Sequence, residues 1–477
     1  MTRRSTLSPA KRELLERRLH GALVMPADSR AIPRREAQQV PLSFAQERMW
    51  FLNQWQPGDP AYNRPVALRF VGVLDPTALA RSLSEILQRH EVLCATFSSI
   101  EGRPVQTIAP PEPLSLPVVD LSSLPQPKRV PEARRLATRE AQRPFDLVQG
   151  PLFRATLLHL DASDHVLVMV LHHIAFDAWS ASVFLRELAA IYAAFSARQP
   201  SPLPELPIQY ADFAAWQTDW LQGEMLETQL AYWTEQLRRP LPVLNLATDR
   251  PKPATPSNRG AFQTLVLQPT LVRRLHALSR QENVTLFMVL LAAFQVLLHR
   301  YTGARDIVVG SPIAGRTRPG TGALIGIFMN TLVLRTDLSG QPSFRQLLAR
   351  AREVALGTYE HQDLPIERLV EALKPERNLG QTPLFQVPLN LENMPGEEPQ
   401  IQGLQLEQFG FDGGIVPLDL SLEMVETAEG LSCLWKYRTD LFEGTTIARM
   451  ASHFQVPLQS TVDDPDQPIW QLSLLTK

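Results

Sequence analysis

Cysteine is nearly absent from these 477 residues: there are two, Cys94 and Cys433. That excludes a disulfide scaffold and fits a reducing compartment, so a cytoplasmic location is expected. Glycine is sparse at 23, and the phosphate-cradling patterns G-x-x-x-x-G-K-[ST] and G-x-G-x-x-G do not occur. The nucleophile-elbow pattern G-x-S-x-G is missing too, so nucleotide-binding and serine-hydrolase readings drop away. No sign of charge dominates: 47 Lys and Arg against 49 Asp and Glu leave a formal net charge of −2. With no basic run interleaved with aromatics, no nucleic-acid surface is expected. No apolar run has the length of a membrane span; the longest, 284–298, is interrupted by Thr285 and Gln295 and reads as a buried helix. The opening MTRRSTLSPAKRELLERR carries no apolar segment after its basic residues and does not read as a signal peptide.

What is present is an ordinary globular composition, 44% hydrophobic and 20% charged, in a chain too long for one core and about right for two or three domains. The stretch that stands out is VLVMVLHHIAFDAWS, residues 166–180. Its apolar run, Val166 to Leu171, has the length and composition of a strand buried on both faces. His172, His173 and Asp177 follow directly, and burying such groups costs several kcal/mol each unless they are paired. Three readings stand side by side. A satisfied core histidine with Asp177 capping the next helix is one. A metal site is the second, weakened because neighbouring strand residues point to opposite faces and no Cys or Glu completes a donor set. Acid–base chemistry by one imidazole facing a cavity, at the end of a strand where α/β folds tend to place sites, is the third.

Along the chain, Ser8-Pro9 opens a helix with Leu14, Leu15, Leu19 and Leu23 on one stripe, read as a solvated leader helix, with docking to a partner as the other reading. The polar stretch 26–39 follows it. Ser43 with Gln46 gives a capping-box start for SFAQERMWFLNQW, and Asp75-Pro76 starts a second helix. Cys94–Ser98 reads as a strand. Leu152–Leu160 and Val166–Leu171 form a hairpin delivering the histidine pair, and 180–195 is an amphipathic helix. Prolines 200, 202, 204 and 207 mark a linker between two lobes. Beyond it come a helical segment 210–238, a strand at 262–267 and two helices, the second at 284–299. Strands follow at 306–311 and toward the end of 325–335, then a helix at 344–359, strands at 385–391 and 431–438, and a closing helix at 445–462. Alternating strands and helices in two halves predict an α/β fold of two lobes. The expected divisions are 1–40 for the leader helix and linker, 41–200 for the lobe with the histidines, and 201–477 for the C-terminal lobe.

Taken as a set, the short segments resemble the condensation domains of non-ribosomal peptide synthetases. SFAQERMWFL (43–52), RHEVLCATF (89–97) and HHIAFDAWS (172–180) match the first three motifs of that family. YADFAAW (210–216), IGIFMNTLVLR (325–335), HQDLPIERLV (361–370) and RNLGQTPLFQV (377–387) match the other four, in the family's order. The resemblance implies two chloramphenicol-acetyltransferase-like lobes in a V-shaped pseudo-dimer. It implies amide-bond formation between an upstream carrier-bound acyl or peptidyl thioester and the amine of a downstream carrier-bound aminoacyl thioester. Both would arrive on phosphopantetheine arms, with no cofactor or metal bound to the domain itself and no membrane or nucleic-acid partner. The ending PIWQLSLLT resembles the point where such a domain hands over to an adenylation domain.

By the same resemblance His173 is the catalytic candidate, orienting the amine or accepting its proton, while His172 and Asp177 are architectural, with Arg316 as the partner of Asp177. Arg48, Ala178 and Trp179 lie in the matching motifs as structural residues, and Asn330, Thr331 and Ser421 are expected near the channel. The opening, with Tyr62-Asn63 after it, resembles the subtype joining two L-residues; heterocyclisation relatives, which replace both histidines, are excluded. A starter domain that acylates the first amino acid and a non-catalytic recruiting domain of the same fold are the alternatives. Two positions depart from the family pattern. Ala178 stands where Gly is usual, and Cys94 where Arg is usual, so acidic partners near Cys94 should be missing or re-paired.

Overall fold

The computed structural model describes residues 7–19, 31–37, 39–253, 257–375, 383–392, 401, 403–411 and 414–475. Leu23 of the leader stripe, positions 26–30 and 38 of the polar stretch, and 377–382 at the start of RNLGQTPLFQV lie outside them.

The frame is the predicted hairpin: Phe153–Asp161 and Asp164–His172 pair antiparallel around a tight turn. From His165 onward every residue of the second strand is buried. Leu167, Met169 and Leu171 face the main core of this lobe, while Val166 and Val168 face a smaller cluster beneath the helix Gln126–Gln142. Two covered faces leave no solvent-facing position along 166–171, which is why the run does not alternate. The sheet has the order Leu404–Gln408, Asn63–Gly72, Asp164–His172, Phe153–Asp161, Val118–Asp120. The helices Pro76–Arg89 and Ala178–Ser196 pack together over its main face.

Asn63–Gly72, the strand beside the histidines, has no clear sequence signal because Pro65 reads as a strand breaker. In the sheet, the outer neighbour covers only Leu68 to Gly72. Pro65 is paired on one side alone, opposite Val170, which is where a missing N–H is tolerated.

The C-terminal lobe holds a four-stranded sheet, Leu389–Glu392, Leu420–Thr427, Gly430–Arg438 and Gly260–Leu267 in that order, and a two-stranded one, Asp306–Ile313 with Asn330–Asp337. A bridge between Gly310 and Pro388 joins the two sheets. Through the core runs Leu286–Thr302, started by the Thr285 hydroxyl accepting the Met288 N–H and stopped by Gly303 in the left-handed region. Among the described residues no single helix is long and apolar enough to cross a membrane. The 210–238 segment divides into Tyr210–Trp220 and Gly223–Gln236, and the 385–391 strand shortens to Leu389–Glu392.

The two lobes exchange pieces. Leu404–Gln408 crosses over to extend the sheet of the histidine lobe, and Ile325, Ile327 and Phe328 are buried in that lobe's core. In return Phe44 joins the C-terminal core. The leader helix Pro9–Leu19 is docked rather than solvated: Leu14 and Leu15 are buried in the C-terminal core, and Lys11 pairs with Glu353 at 3.2 Å.

Candidate active site

The central strand ends at His172, a single turn spans His173–Ala175, and Asp177 caps the helix Ala178–Ser196. The cap is the usual one: Asp177 has extended backbone, and its Oδ1 accepts the Ser180 N–H at 2.8 Å. The sequence thus places both imidazoles in a tight connection between two rigid elements.

The imidazoles point to different surroundings. His172 Nδ1 accepts the Ile174 N–H at 3.1 Å, and its ring sits edge-on to Phe145 at 5.8 Å. Burial, reinforced by the cations Arg64 and Arg154, drives its pKa down to about 3. It is held neutral against Phe145 and the backbone of the turn. His173 lines the large cavity between the lobes. Its Nδ1 lies 2.6 Å from the Phe176 carbonyl oxygen. A carbonyl only accepts, so Nδ1 carries the proton and Nε2 is left with a free lone pair. Burial holds the His173 pKa well below its ordinary value, and the charge of Arg64 pushes the same way. The result is a neutral imidazole with a fixed tautomer, facing a cavity: a group able to accept a proton or a hydrogen bond. The two histidines share no donor set, and among the described residues no trio of His, Cys, Asp or Glu is placed to hold a metal.

Asp177 stands on the same cavity wall, but its carboxylate is taken up by the neighbouring loop. Its Oδ1 accepts from Arg316 at 3.0 Å and from the Ser180 hydroxyl at 2.7 Å, and its Oδ2 accepts the Phe328 N–H at 3.0 Å. Arg316, itself buried, donates to the Thr321 and Leu324 carbonyls at 2.6 Å each and lies 4.1 Å from the Phe328 ring centre. Gly326 donates to Ser180 Oγ at 3.0 Å, Trp179 Nε1 donates to the Gly322 carbonyl at 2.9 Å, and Tyr210 donates to the Ile327 carbonyl at 2.7 Å. His90 accepts the Ile325 N–H at 3.2 Å on Nδ1 and donates from Nε2 to Glu187 at 2.9 Å. The loop 316–328 is in this way stitched to the histidine lobe. Two glycines make the close approach: a Cβ on Gly315, at φ +65°, would lie 1.9 Å from the Phe328 carbonyl oxygen, and one on Gly326 would lie 2.0 Å from the Tyr210 ring.

The cavity has a volume of about 2680 Å³. Of the three residues expected near the channel, Thr331 and Ser421 line it and Asn330 does not. The Asn330 amide is consumed as a clamp: Nδ2 donates to the Gln362 and Leu364 carbonyls at 2.9 and 2.8 Å, and Oδ1 accepts the Thr331 and Ile366 N–H groups. Arg48 lies on the cavity wall and pairs with Glu367 at 3.6 Å. Ala178 is exposed on that wall at the first position of its helix, and its φ is not positive. Cys94 is half-buried, its thiol pushed up to about 11 by burial, and its acidic neighbour Glu91 is taken up by Arg35, which also pairs with Asp212 at 2.8 Å.

Sequence reasoning missed three contributors. The Phe176 carbonyl sets the tautomer of His173 but carries no side-chain signal. Ser180 stands within the third motif, yet only the folded loop shows that it bridges Asp177, Arg316 and Gly326. Arg64 projects into the cavity beside the histidines from the strand that Pro65 hides.

Comparison with known proteins is consistent with this geometry. The condensation-domain family model matches residues 36–477. A linear gramicidin synthase of Brevibacillus parabrevis is 48% identical over 93% of this chain, which corresponds to 6% of that protein. Phosphinothricin tripeptide synthetase PhsC of Streptomyces viridochromogenes is 39% identical over 100% of the chain and 44% of its own length. The chain therefore spans less than half the length of these curated relatives. Among solved structures, the X-domain from teicoplanin biosynthesis superposes with a TM-score of 0.85 at 29% identity, covering 94% of this chain and 100% of that one. The four-domain non-ribosomal peptide synthetase AB3403 matches in fold with a TM-score of 0.83 at 23% identity, over 93% of this chain and 35% of that one. The fold is accordingly the two-lobed, chloramphenicol-acetyltransferase-like pseudo-dimer. With its family match running from residue 36 to the last, the chain belongs to the condensation-domain family, the amide-bond-forming acyltransferases of non-ribosomal peptide synthesis.

Proposed function

We propose that this chain joins an acyl or peptidyl thioester on an upstream carrier protein to the amine of an aminoacyl thioester on a downstream carrier. The observation that carries the reading is His173: a neutral imidazole, tautomer fixed by the Phe176 carbonyl, with Nε2 unpaired among the described residues and facing a cavity between two lobes. The free amine adds to the thioester carbonyl, forming the C–N bond. Nε2 of His173 takes the proton that the nitrogen sheds. The C–S bond then breaks, and the proton is returned to the departing thiolate, so the imidazole ends as it began.

A thioester is already activated, so the chain supplies no nucleophile of its own. Holding two tethered reactants in one cavity contributes about 7–11 kcal/mol of barrier lowering in well-oriented systems. In this reading the domain needs no cofactor of its own; the reacting groups arrive on phosphopantetheine arms of donor and acceptor carriers, with an adenylation domain as neighbour in the assembly. In this reading Asp177 and Arg316 are architectural, Arg48 and Trp179 shape the cavity, and Thr331 and Ser421 belong to the channel. The histidine lobe is taken as 41–200 and the C-terminal lobe as 201–477, after the leader and linker 1–40, and the setting is cytoplasmic. The motif pattern favours L-configured donors.

Intact-protein mass spectrometry with a loaded donor carrier and a loaded acceptor carrier tests the reading. The expected result is condensed product on the acceptor with a carrier-bound donor and much less with acyl-CoA. Equal or better transfer from acyl-CoA would place the chain with starter domains. An unchanged acceptor under all donors would make it a recruiting platform.

A further inference from the structure

Among the described residues Arg64 is a cation with no ion-pair partner. It lies on the strand Asn63–Gly72, directly opposite Leu171 and one residue from the pairing of Asn63 with His172. Its side chain is half-buried and lines the same cavity as His173. Its one hydrogen bond among the described residues is a long one, 3.4 Å, to the carbonyl of its neighbour Asn63, and it enters no ion pair there. A guanidinium stays charged under any ordinary condition and offers five donors in a fixed fork suited to a carboxylate.

The groups across the cavity do not satisfy it. Glu423 exerts the largest acidic influence on Arg64, but its carboxylate is held by Lys436 at 2.5 Å. Glu392, on the adjoining strand, makes no ion pair with Arg64, and its pKa is raised by burial and by Glu423. Arg48, also on the wall, is engaged with Glu367 at 3.6 Å. Among the described residues, what is left beside the histidine is an unanswered positive charge in a partly desolvated space, where leaving it unmatched is costly and matching it is rewarded.

We propose that Arg64 receives a carboxylate carried by one of the tethered substrates, so that the chain favours a dicarboxylic acyl group or an acidic aminoacyl group over its neutral isostere. The inference rests on the reading that the cavity takes tethered acyl groups. The phosphate of the pantetheine arm is the other anion at hand, but it sits at the opposite end of the arm from the thioester. With the thioester at His173, that phosphate is held away from Arg64. A site built around a charged donor discriminates strongly against an analogue that leaves the donor unpaired.

Titration calorimetry with stable pantetheine amides tests this apart from turnover. The ligands are glutamyl- and glutaminyl-pantetheine and succinyl- and succinamoyl-pantetheine, each without and with the phosphate. In the wild-type chain the acid should bind at least about ten-fold tighter than its amide in one pair, the size of one charge-assisted hydrogen bond. The preference should persist without the phosphate, vanish in Arg64→Met and be partly kept in Arg64→Lys. Equal affinities for acid and amide in the wild type, or no binding of either, would overturn the inference without any variant having to fold. A dependence on Arg64 seen only with the phosphorylated ligands would overturn it as well. Condensation from neutral loaded carriers reports separately on the proposed function. Product there with no acid preference sinks the substrate assignment alone, while an Arg64-dependent acid preference without product sinks the condensation reading alone.

Discussion

A histidine can be a base only if it is uncharged and one nitrogen is free, and His173 meets both conditions through neighbours rather than by its own chemistry. The Phe176 carbonyl fixes Nδ1–H at 2.6 Å, and burial with Arg64 keeps the ring neutral. An acid limb in the rate of amide formation is therefore expected only below the ordinary imidazole value of about 6.5. Single-turnover rates measured between about pH 5 and 8 should be flat down to roughly pH 6.5; an acid limb with its midpoint above 7 would contradict the neutral ring. Stability follows the same sign. In the unfolded chain these imidazoles bind protons below about pH 6.5, whereas folded His172 resists protonation down to about 3. The stability present above pH 6.5 is lost as the pH falls from there toward 3, because the unfolded state binds more protons over that window. Melting curves at about pH 7.5 and 5.0 should show it, and a higher melting temperature at the lower pH would contradict it.

At the scale of elements, the loop 316–328 is what Asp177 holds. Its carboxylate receives four donors: Arg316, the Ser180 N–H and hydroxyl, and the Phe328 N–H. Asp177→Asn keeps the size but leaves Arg316 buried without its counter-charge, a cost of about 3–5 kcal/mol. The variant should melt many degrees lower and lose activity with the loosened loop; a melting temperature equal to wild type would show that Arg316 is satisfied by the carbonyls alone. Ala178, by contrast, starts a helix with ordinary backbone, so Ala178→Gly should cost at most about 1 kcal/mol and leave condensation intact. Product formed only by the glycine variant would mean that the natural methyl obstructs the channel.

Much at this scale was legible in the sequence. The apolar run with no alternation announced a strand covered on both faces, and Ser43 with Gln46 and Asp75 with Pro76 announced two helix starts because capping chemistry is local. The strand bearing Arg64 was not legible, since Pro65 is tolerated only through the partial cover of its outer edge, a fact of the sheet and not of the segment. Asn330 shows the same limit: its place in a matching motif does not reveal that all its amide hydrogen-bonding goes to the backbone at 331 and 362–366.

The whole molecule is two lobes that each complete the other. Leu404–Gln408 finishes the sheet of the histidine lobe, and the leader helix covers part of the C-terminal core with Leu14 and Leu15. Two lobes were predictable from length and from alternating elements; the exchange between them was not, because strand order and long-range docking leave no periodic trace. The exchange gives the cavity walls from both halves, with His173 and Arg64 on one side and Ser421, Glu423 and Lys436 on the other. A cavity shared in this way suits two reactants that arrive separately and must meet at one imidazole. The most direct measurement is a single-turnover condensation between loaded donor and acceptor carriers, read by intact-protein mass spectrometry, comparing wild type with a folded His173→Ala. The account predicts condensed product on the acceptor from wild type and a rate at least about ten-fold lower from the variant; equal rates, or no product from wild type, would contradict it.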